Sequence, residues 1–178
     1  MIRKTRWLLI ALALLFPVAL WAAQGDVKNA YGAKTTITIT LTSLANGSGR
    51  ESTVIDNTSN KFLDALIRFK TNGQTSGTGL VDIYIYAALG DTTYTDGATG
   101  SDAAFTAANR RNSKYLGSVQ MNAGTGVIGG LFSVASAFGG SLPDKWGLLV
   151  INNSGASMSA TGGDHVIEYE GVFLNVAP

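Results

Sequence analysis

The sequence predicts an all-β protein: a single antiparallel β-sandwich, jelly-roll-like, with about eight strands, preceded by one hydrophobic N-terminal helix. Three observations predict this fold. Apolar and polar residues alternate with a period of two in several stretches, β-branched and aromatic residues fill those stretches, and clusters of Gly, Asn, Ser and Thr separate them. Short strands with turn residues between them are typical of sandwiches and jelly rolls.

The first 25 residues differ from the rest of the chain. Arg3, Lys4 and Arg6 precede an uncharged run over 7–23 that ends in small residues. This order is typical of a secretory signal peptide, and as a helix the run would be about 25 Å long, a little short for a membrane span. We therefore predict a signal peptide or membrane anchor over 1–25, a linker over 26–34, and a β-sandwich domain over 35–178.

The first predicted strand is TTITITLTS (35–43), in which isoleucine and leucine alternate with threonine. The stretch FLDALIRFK (62–70) fits two periods, because alternate residues are apolar while Phe62, Leu66 and Phe69 also fit the spacing of a helix. We predict a strand there, since the neighbouring segments are strands and the alternation continues to the end of the stretch.

Further strands are predicted where β-branched and aromatic residues are frequent. They are ESTVID (51–56), LVDIYIYAAL (80–89), YLGSVQM (115–121), GLFSVASAF (130–138), KWGLLVINN (145–153) and HVIEYEGVFLNV (165–176). Residues 90–114 form a long irregular segment, and loops of this length in a compact domain tend to bind ligands or make assembly contacts.

The stretch FGGSLPDKWG (138–147) predicts a tight turn followed by a buried strand. Gly139 and Gly140 allow the turn, and Pro143 ends it because proline cannot donate to a strand ladder. Trp146 then supplies a large apolar side chain to the core.

Composition narrows the function classes. Without Arg3, Lys4 and Arg6 the thirteen basic residues become ten, against twelve acidic residues, so the net charge is −2. No basic field remains to attract nucleic acid, and we predict no nucleic-acid partner. The chain has no cysteine, so its core, or neighbours in an assembly, must stabilise it.

Candidate catalytic residues are few. His165 is the single histidine and no G-x-S-x-G motif accompanies it, so we expect a partly exposed histidine at a strand end. Glu168 and Glu170 share one strand face about 7 Å apart, a separation that glycosidase carboxylates use. The apolar residues between and after them indicate that the opposite face is the core face, which favours a solvated pair of glutamates.

Candidate ligands for metals and phosphates lie in the loops. Asp91, Asp96 and Asp102 offer oxygens to Ca²⁺ but have no EF-hand spacing, and NAGTG (122–126) lacks the Lys-Ser/Thr pair of a phosphate loop. Arg110, Arg111 and Lys114 form a small basic patch, most simply a solvated loop surface. We therefore predict no enzyme, with no catalytic, cofactor-binding or metal-ligating residue and no cofactor.

Residues 34–172 resemble a family of small proteins encoded among the structural genes of tailed phages and prophages. The resemblance lies in five stretches in order: TITITLTSLANGSGRESTVIDNTSNKFLDALIRFK, VDIYIYAALGDTTYTDGATGSDAA, YLGSVQMN, FSVASAFGGSLPDKWGLLVINNSGASM and GDHVIEYEGV. It covers about four-fifths of the chain, and FGGSLPDKWG is its most specific part. The resemblance implies a β-sandwich with a structural role in a virion, as a capsid decoration, minor capsid or tail-surface protein. It implies no catalytic residue.

The expected partners are copies of the protein itself and other virion or surface-assembly proteins, with a membrane contacted only through residues 1–25 if they are retained. The expected location is the virion surface, or the periplasm or exterior through the Sec route if the leader is cleaved. The chain departs from the phage pattern in residues 1–25, which leaves a membrane-anchored virion subunit, an exported subunit and a host-adopted surface protein as interpretations.

The alternative function is an exported bacterial surface protein. One form is a self-assembling filament or coat subunit, in which residues 26–36 pair with the sheet edge of the next subunit. The other is a carbohydrate-binding module, in which Tyr84, Tyr86 and Tyr94 stack on a glycan, although Tyr84 and Tyr86 are equally suited to cover a second sheet.

Overall fold

A computed structural model describes residues 26–72, 77–124 and 126–176, and these are all-β with antiparallel sheets. The strands are β1 (Val27–Tyr31), β2 (Thr35–Thr36), β3 (Gly49–Glu51), β4 (Ile55–Asp56), β5 (Asp64–Asn72), β6 (Leu80–Ala88), β7 (Ala103–Phe105), β8 (Lys114–Gln120), β9 (Val127–Ser133), β10 (Lys145–Asn153) and β11 (Val166–Val176). Helical structure among the described residues is limited to short 3-10 turns, and none of it is long and apolar enough to cross a membrane. The predicted signal peptide or anchor helix over 1–25 lies outside the described residues.

The chain divides into two compact units. The described part of the smaller unit comprises residues 26–30 and 174–176, where β1 is hydrogen-bonded to β11. Strand β1 therefore lies within the segment that the sequence predicted to be a linker. The larger unit, residues 31–173, contains the rest of the two sheets described next.

Each of the two sheets contains two long neighbouring strands, β11 and β5 in sheet A and β10 and β6 in sheet B. In sheet A the order is β1–β11–β5–β9, with β2 also paired to β11, and in sheet B it is β7–β3–β10–β6–β8, with β4 also paired to β10. Strand β10 pairs with β6 along all nine residues, from Lys145 opposite Ala88 to Asn153 opposite Leu80. Because β10 is covered on both faces, its sequence is a continuous apolar run rather than an alternating one.

One hydrophobic cluster contains the inward side chains of both sheets, an arrangement consistent with a β-sandwich. Its largest fully buried members include Trp146, Phe69, Ile67, Ile83, Ile85 and Leu148. The Trp146 ring packs edge-to-face on Tyr169, with centroids 5.5 Å apart. The predicted burial of Trp146 is therefore confirmed.

The predictions for the long strands hold. The ambiguous stretch 62–70 is strand from Asp64 onward, within β5, and Ala65, Ile67 and Phe69 are buried on alternate positions as a strand requires. The segments predicted over 80–89, 145–153 and 165–176 also form strands, with ends shifted by at most one residue.

The strand predicted over 35–43 is wrong beyond Thr36. At this point the chain crosses between sheets: Ile37 N donates to Ile167 O of sheet A at 2.9 Å, while Thr38 O accepts from Thr53 N, between β3 and β4, also at 2.9 Å. Ile37 and Leu41 remain buried. The alternation therefore predicted burial correctly, but a segment that changes sheets has no continuous strand partner.

The strand predicted over 130–138 is also partly wrong. Strand β9 ends at Ser133, and Ala135–Phe138 form a 3-10 turn. The Asp64 carboxylate causes the change, because it accepts from Ala135 N at 2.8 Å and from Ser133 Oγ at 2.7 Å. The predicted glycine turn follows, with φ of 72° at Gly139 and 99° at Gly140.

Candidate assembly surface

The long segment between β6 and β8, residues 89–113, folds back over the outer face of sheet B. We call it the covering loop. Tyr86 and Leu149 point outward from sheet B, and they are buried in a second hydrophobic cluster with Ala98 and Phe105 of the loop. The sequence predicted a binding or assembly loop, whereas much of this loop is used to cover its own sheet.

Asp102 fixes the middle of the covering loop to the body of the protein. Its carboxylate accepts from Arg50 Nε at 2.6 Å, from Thr40 N at 3.0 Å and from Thr40 Oγ1 at 2.5 Å. Burial alone would raise the pKa of Asp102, but these hydrogen bonds and the Arg50 charge lower it below the usual 3.8. The carboxylate is thus held ionised as a structural anchor.

Two further carboxylates hold the same loop. Glu51, which is 1% exposed, accepts from Thr99 N at 2.8 Å and from Thr99 Oγ1 at 2.5 Å. Asp96 accepts from the backbone and side chains of Asn112 and Ser113 at 2.6–3.0 Å. Partial burial opposes ionisation of Asp96, yet the hydrogen bonds from Ser113 and Asn112 lower its pKa.

The three aspartates considered for Ca²⁺ do not converge on one point. Asp102 bonds Arg50 and Thr40, Asp96 bonds the end of the loop, and Asp91 accepts from Thr93 N in a local turn at 3.0 Å. Within the ranges that the structure describes, no group of three or more acidic or histidine side chains is placed to hold a metal ion.

The three tyrosines considered for glycan stacking do not form a platform. Tyr86 is fully buried, its hydroxyl donates to Ser52 O at 2.8 Å, and burial raises its pKa. Tyr94 packs edge-to-face on Tyr86, with centroids 5.4 Å apart. Tyr84 is half-buried and packs on Tyr115, at 5.2 Å.

Of the predicted basic patch, Arg110 makes contacts within the protein, whereas Arg111 and Lys114 are exposed. The Arg110 guanidinium lies 5.3 Å from the centroid of the Tyr84 ring and donates to Ala107 O. Arg111 and Lys114 are exposed, as the interpretation of a solvated loop surface expects.

His165 is half-buried and has structural partners on both ring nitrogens. Nε2 lies 3.0 Å from the carbonyl oxygen of Ser159 and therefore donates to it, and Nδ1 is hydrogen-bonded to Thr71 Oγ1 at 2.8 Å. Asp164 beside it accepts from Asn72 and Ser159. The ring thus joins the end of β5 to the segment before β11.

Glu168 and Glu170 lie on the outer side of sheet A, as the sequence predicted, because Ile167 and Tyr169, which alternate with them along the strand, face the core. Glu168 is ion-paired with Arg68 on the adjacent strand. A carboxylate paired with an arginine on an open sheet face is suited to stabilising the sheet rather than to acid catalysis.

The outer side of sheet A contrasts with that of sheet B. We call it the open face, formed by Leu66, Arg68, Lys70, Val127, Leu131, Glu168 and Glu170. Val127 and Leu131 on β9 are each 69% exposed. A shallow depression of about 220 Å³ lies beside Leu131, between Leu66, Arg68 and the two glutamates. The open face thus has exposed apolar side chains beside the Arg68–Glu168 ion pair, a combination that protein contact surfaces use.

Strand β9 also forms an edge of sheet A. Among the described residues its only hydrogen-bonded strand neighbour is β5. Its sequence, VIGGLFS, contains no charge and no proline, although natural proteins usually protect exposed edges with such residues. By comparison, β7 has only three residues and β8 begins with Lys114.

Sequence reasoning missed the importance of Val127 and Leu131. Val127 lies between the phosphate-loop-like stretch 122–126 and the strand predicted over 130–138. Leu131 is one of several apolar residues in that predicted strand. The available signal was the absence of any charged residue from Gln120 to Pro143, which is unusual for an exposed strand.

Comparison of the chain with protein-family models, with curated proteins and with solved structures finds no match.

Proposed function

We propose that this protein is a non-enzymatic subunit of a structural assembly, packed in many copies through a jelly-roll-like β-sandwich. The observation that carries the proposal is the difference between the two outer faces. Sheet B is covered by the protein's own loop, whereas the open face of sheet A and the uncharged edge β9 expose apolar side chains. Exposed apolar surface beside a sheet edge that has no charged residue is suited to contact with another protein.

The strand order supports the jelly-roll part of the proposal. We take β2, β3 with β4, β5, β6, β8, β9, β10 and β11 as strands one to eight. Sheet A then has the order one, eight, three, six, and sheet B has the order two, seven, four, five. This is the order produced by the two Greek keys of a jelly roll, a fold frequent in viral capsid proteins. Two strands are additions to this order: β1, which also pairs with β11, and β7 within the covering loop.

The resemblance to phage structural proteins indicates which kind of assembly to test. On this proposal the protein is a capsid decoration, minor capsid or tail-surface subunit at the virion surface, and its partners are copies of itself and other virion proteins. The net charge of −2 without residues 1–25 supports contact with protein rather than with nucleic acid.

The experiment is to purify particles from the source and to quantify this protein in them by mass spectrometry. We expect a fixed ratio to the main coat protein that survives washing in high salt. In parallel, sedimentation of the purified protein should show association as its concentration rises. Absence from particles, together with a monomer at every concentration, would refute the proposal.

An exported surface subunit is the second candidate, and the signal-like residues 1–25 are the observation that favours it. The intact mass of the native protein separates the two candidates. A chain that begins near Asp26 in the cell envelope supports export, whereas a chain found in particles with Met1 or Ile2 at its start supports a virion subunit with an anchor.

A further inference from the structure

We propose that strand β9 pairs with β9 of a second copy of this chain, antiparallel, about a two-fold axis at Gly129. The inference rests on the proposed assembly function and names the contact that would serve it. In this arrangement sheet A continues from one copy into the next, and Val127 of each copy lies opposite Leu131 of the other.

The edge of β9 is chemically suited to pair with itself. Two identical antiparallel strands related by a two-fold axis bring residues of the same sequence side by side, so a strand with several charges of one sign would place like charges near each other. The strand VIGGLFS has no charge, and its described hydrogen-bonded strand neighbour is β5 alone. A second copy can therefore use the outer edge without electrostatic cost on the strand itself.

The register follows from the positions of the exposed side chains. Side chains keep to one face of a continuous sheet only if odd-numbered residues oppose odd-numbered ones. Centring the axis at Gly129 puts Val127 opposite Leu131, so that both exposed apolar side chains gain a cross-strand partner on the same face. Centring it at Gly130 would instead put Leu131 opposite a glycine.

Gly129 itself is constrained to remain without a side chain. A Cβ atom there would lie 2.6 Å from the carbonyl oxygen of Phe69 on the neighbouring strand. The point at which the two copies cross is therefore free of side chains, which allows the backbones to approach closely.

The charges nearest to the seam are far enough apart. Arg68 and Lys70 lie on β5, one strand in from β9. Across the seam their equivalents are three strand spacings away, about 14 Å. This exceeds the screening length of about 8 Å at physiological salt, so the two basic rows repel each other little.

The size of the contact indicates a weak dimer. With the axis at Gly129 the residues of β9 that pair with each other are Val127–Leu131, a length of about 17 Å, and one edge of that length forms an interface at the small end of the known range. We expect a dissociation constant of about 10–100 µM. Such a contact is adequate where many copies are held together, because neighbouring contacts reinforce one another.

The first test measures self-association of the full-length chain by sedimentation up to about 1 mM. We expect Val127→Lys combined with Leu131→Lys to weaken association at least about 100-fold, because four apolar side chains per dimer are lost and four charges are added at the seam. Leu89→Lys is the matched control, since Leu89 is an exposed leucine outside sheet A, and it should leave association unchanged. Equal melting temperatures would show that the variants are folded.

The second test determines the register by disulfide cross-linking. Because the chain has no native cysteine, only the introduced cysteines can form disulfides. A mixture of Val127→Cys and Leu131→Cys proteins should form a mixed disulfide under mild oxidation. Val127→Cys alone should not cross-link, because its equivalents lie four residues out of register, about 13 Å apart along the strand. A mixture of Val127→Cys and Leu89→Cys is the control and should not cross-link.

The outcomes separate this inference from the proposed function. If the wild-type chain associates but the lysine variant associates equally well, the β9 contact is overturned while the assembly function stands. If the wild type is monomeric up to about 1 mM, the inference is overturned, and the particle measurement alone decides the function. Cross-linking of Val127→Cys with itself would overturn the register.

Discussion

Replacement of Asp102 tests whether the covering loop is held by charge or by hydrogen-bond geometry. Oδ1 of this carboxylate accepts from Thr40 N and Arg50 Nε, and Oδ2 accepts from Thr40 Oγ1. Asparagine can keep all three contacts, because its oxygen can take the place of Oδ1 and its amide can donate to the Thr40 hydroxyl. Alanine keeps none of them.

The two substitutions should therefore differ in cost. Asp102→Asn loses only the charge of an ion pair whose side chains are 18% and 26% exposed, and we expect about 1–2 kcal/mol less stability. Asp102→Ala also leaves Thr40 N and Arg50 Nε without an acceptor. At about 1–3 kcal/mol for each such group, reduced by partial access of water, we expect about 3–4 kcal/mol in total.

Urea unfolding at pH 7 measures both values. Asp91→Ala is the control, because Asp91 lies in the same loop, is exposed and accepts only a local hydrogen bond from Thr93. It should change stability by less than about 0.5 kcal/mol. Equal costs for the asparagine and alanine variants, or a cost below that of the control, would show that Asp102 does not anchor the loop.

Three further predictions concern the same side of the protein. The pKa values of Asp96 and Asp102 are lower in the folded state than the usual 3.8, so the stability that they provide is complete above about pH 5 and is lost as the pH falls below about 4. Urea unfolding at pH 7, 5 and 3 should show this loss of stability, and the variant with both aspartates replaced by asparagine should lose less. Tyr86→Phe removes the hydrogen bond to Ser52 O and should cost about 1–2 kcal/mol in urea unfolding, whereas an unchanged midpoint would contradict the assigned role of the hydroxyl. Gly147→Ala would place a Cβ atom 2.2 Å from the Tyr86 ring and should cost about 2–4 kcal/mol, with a smaller cost when Tyr86 is also alanine.

Strands could be predicted from the sequence where the residue pattern of the strand itself shows which side chains are buried. In β5 and β6 the period of two alone separates core from surface, and in β10 the unbroken apolar run fits a strand that is covered on both faces. Prediction of strands failed where a residue far away in sequence determines the backbone conformation through a hydrogen bond. Asp64, 69 residues earlier in sequence, binds Ser133 at the end of β9. Between Ile37 and Thr38 the backbone changes its hydrogen-bond partner from Ile167 to Thr53, because the chain crosses between sheets.

The candidate surface was harder to predict than the fold. The covering loop is polar and irregular in sequence, and its order comes from contacts of Asp102 and Thr99 with residues 48 to 62 positions earlier. Exposure of Val127 and Leu131 depends on β9 being the last strand of sheet A. An apolar strand at a sheet edge has the same local pattern as one inside a sheet, so only the topology distinguishes them.

The buried indole of Trp146 gives this protein an optical readout. The chain has three tryptophans, and the other two, Trp7 and Trp21, both lie within residues 1–25. A chain that has lost those residues would therefore emit from one indole that is 0% exposed, with a blue-shifted spectrum that moves to the red only when the core opens. A chain that keeps them would show a composite spectrum. The emission of the native protein thus reports leader processing and core integrity in the same cuvette.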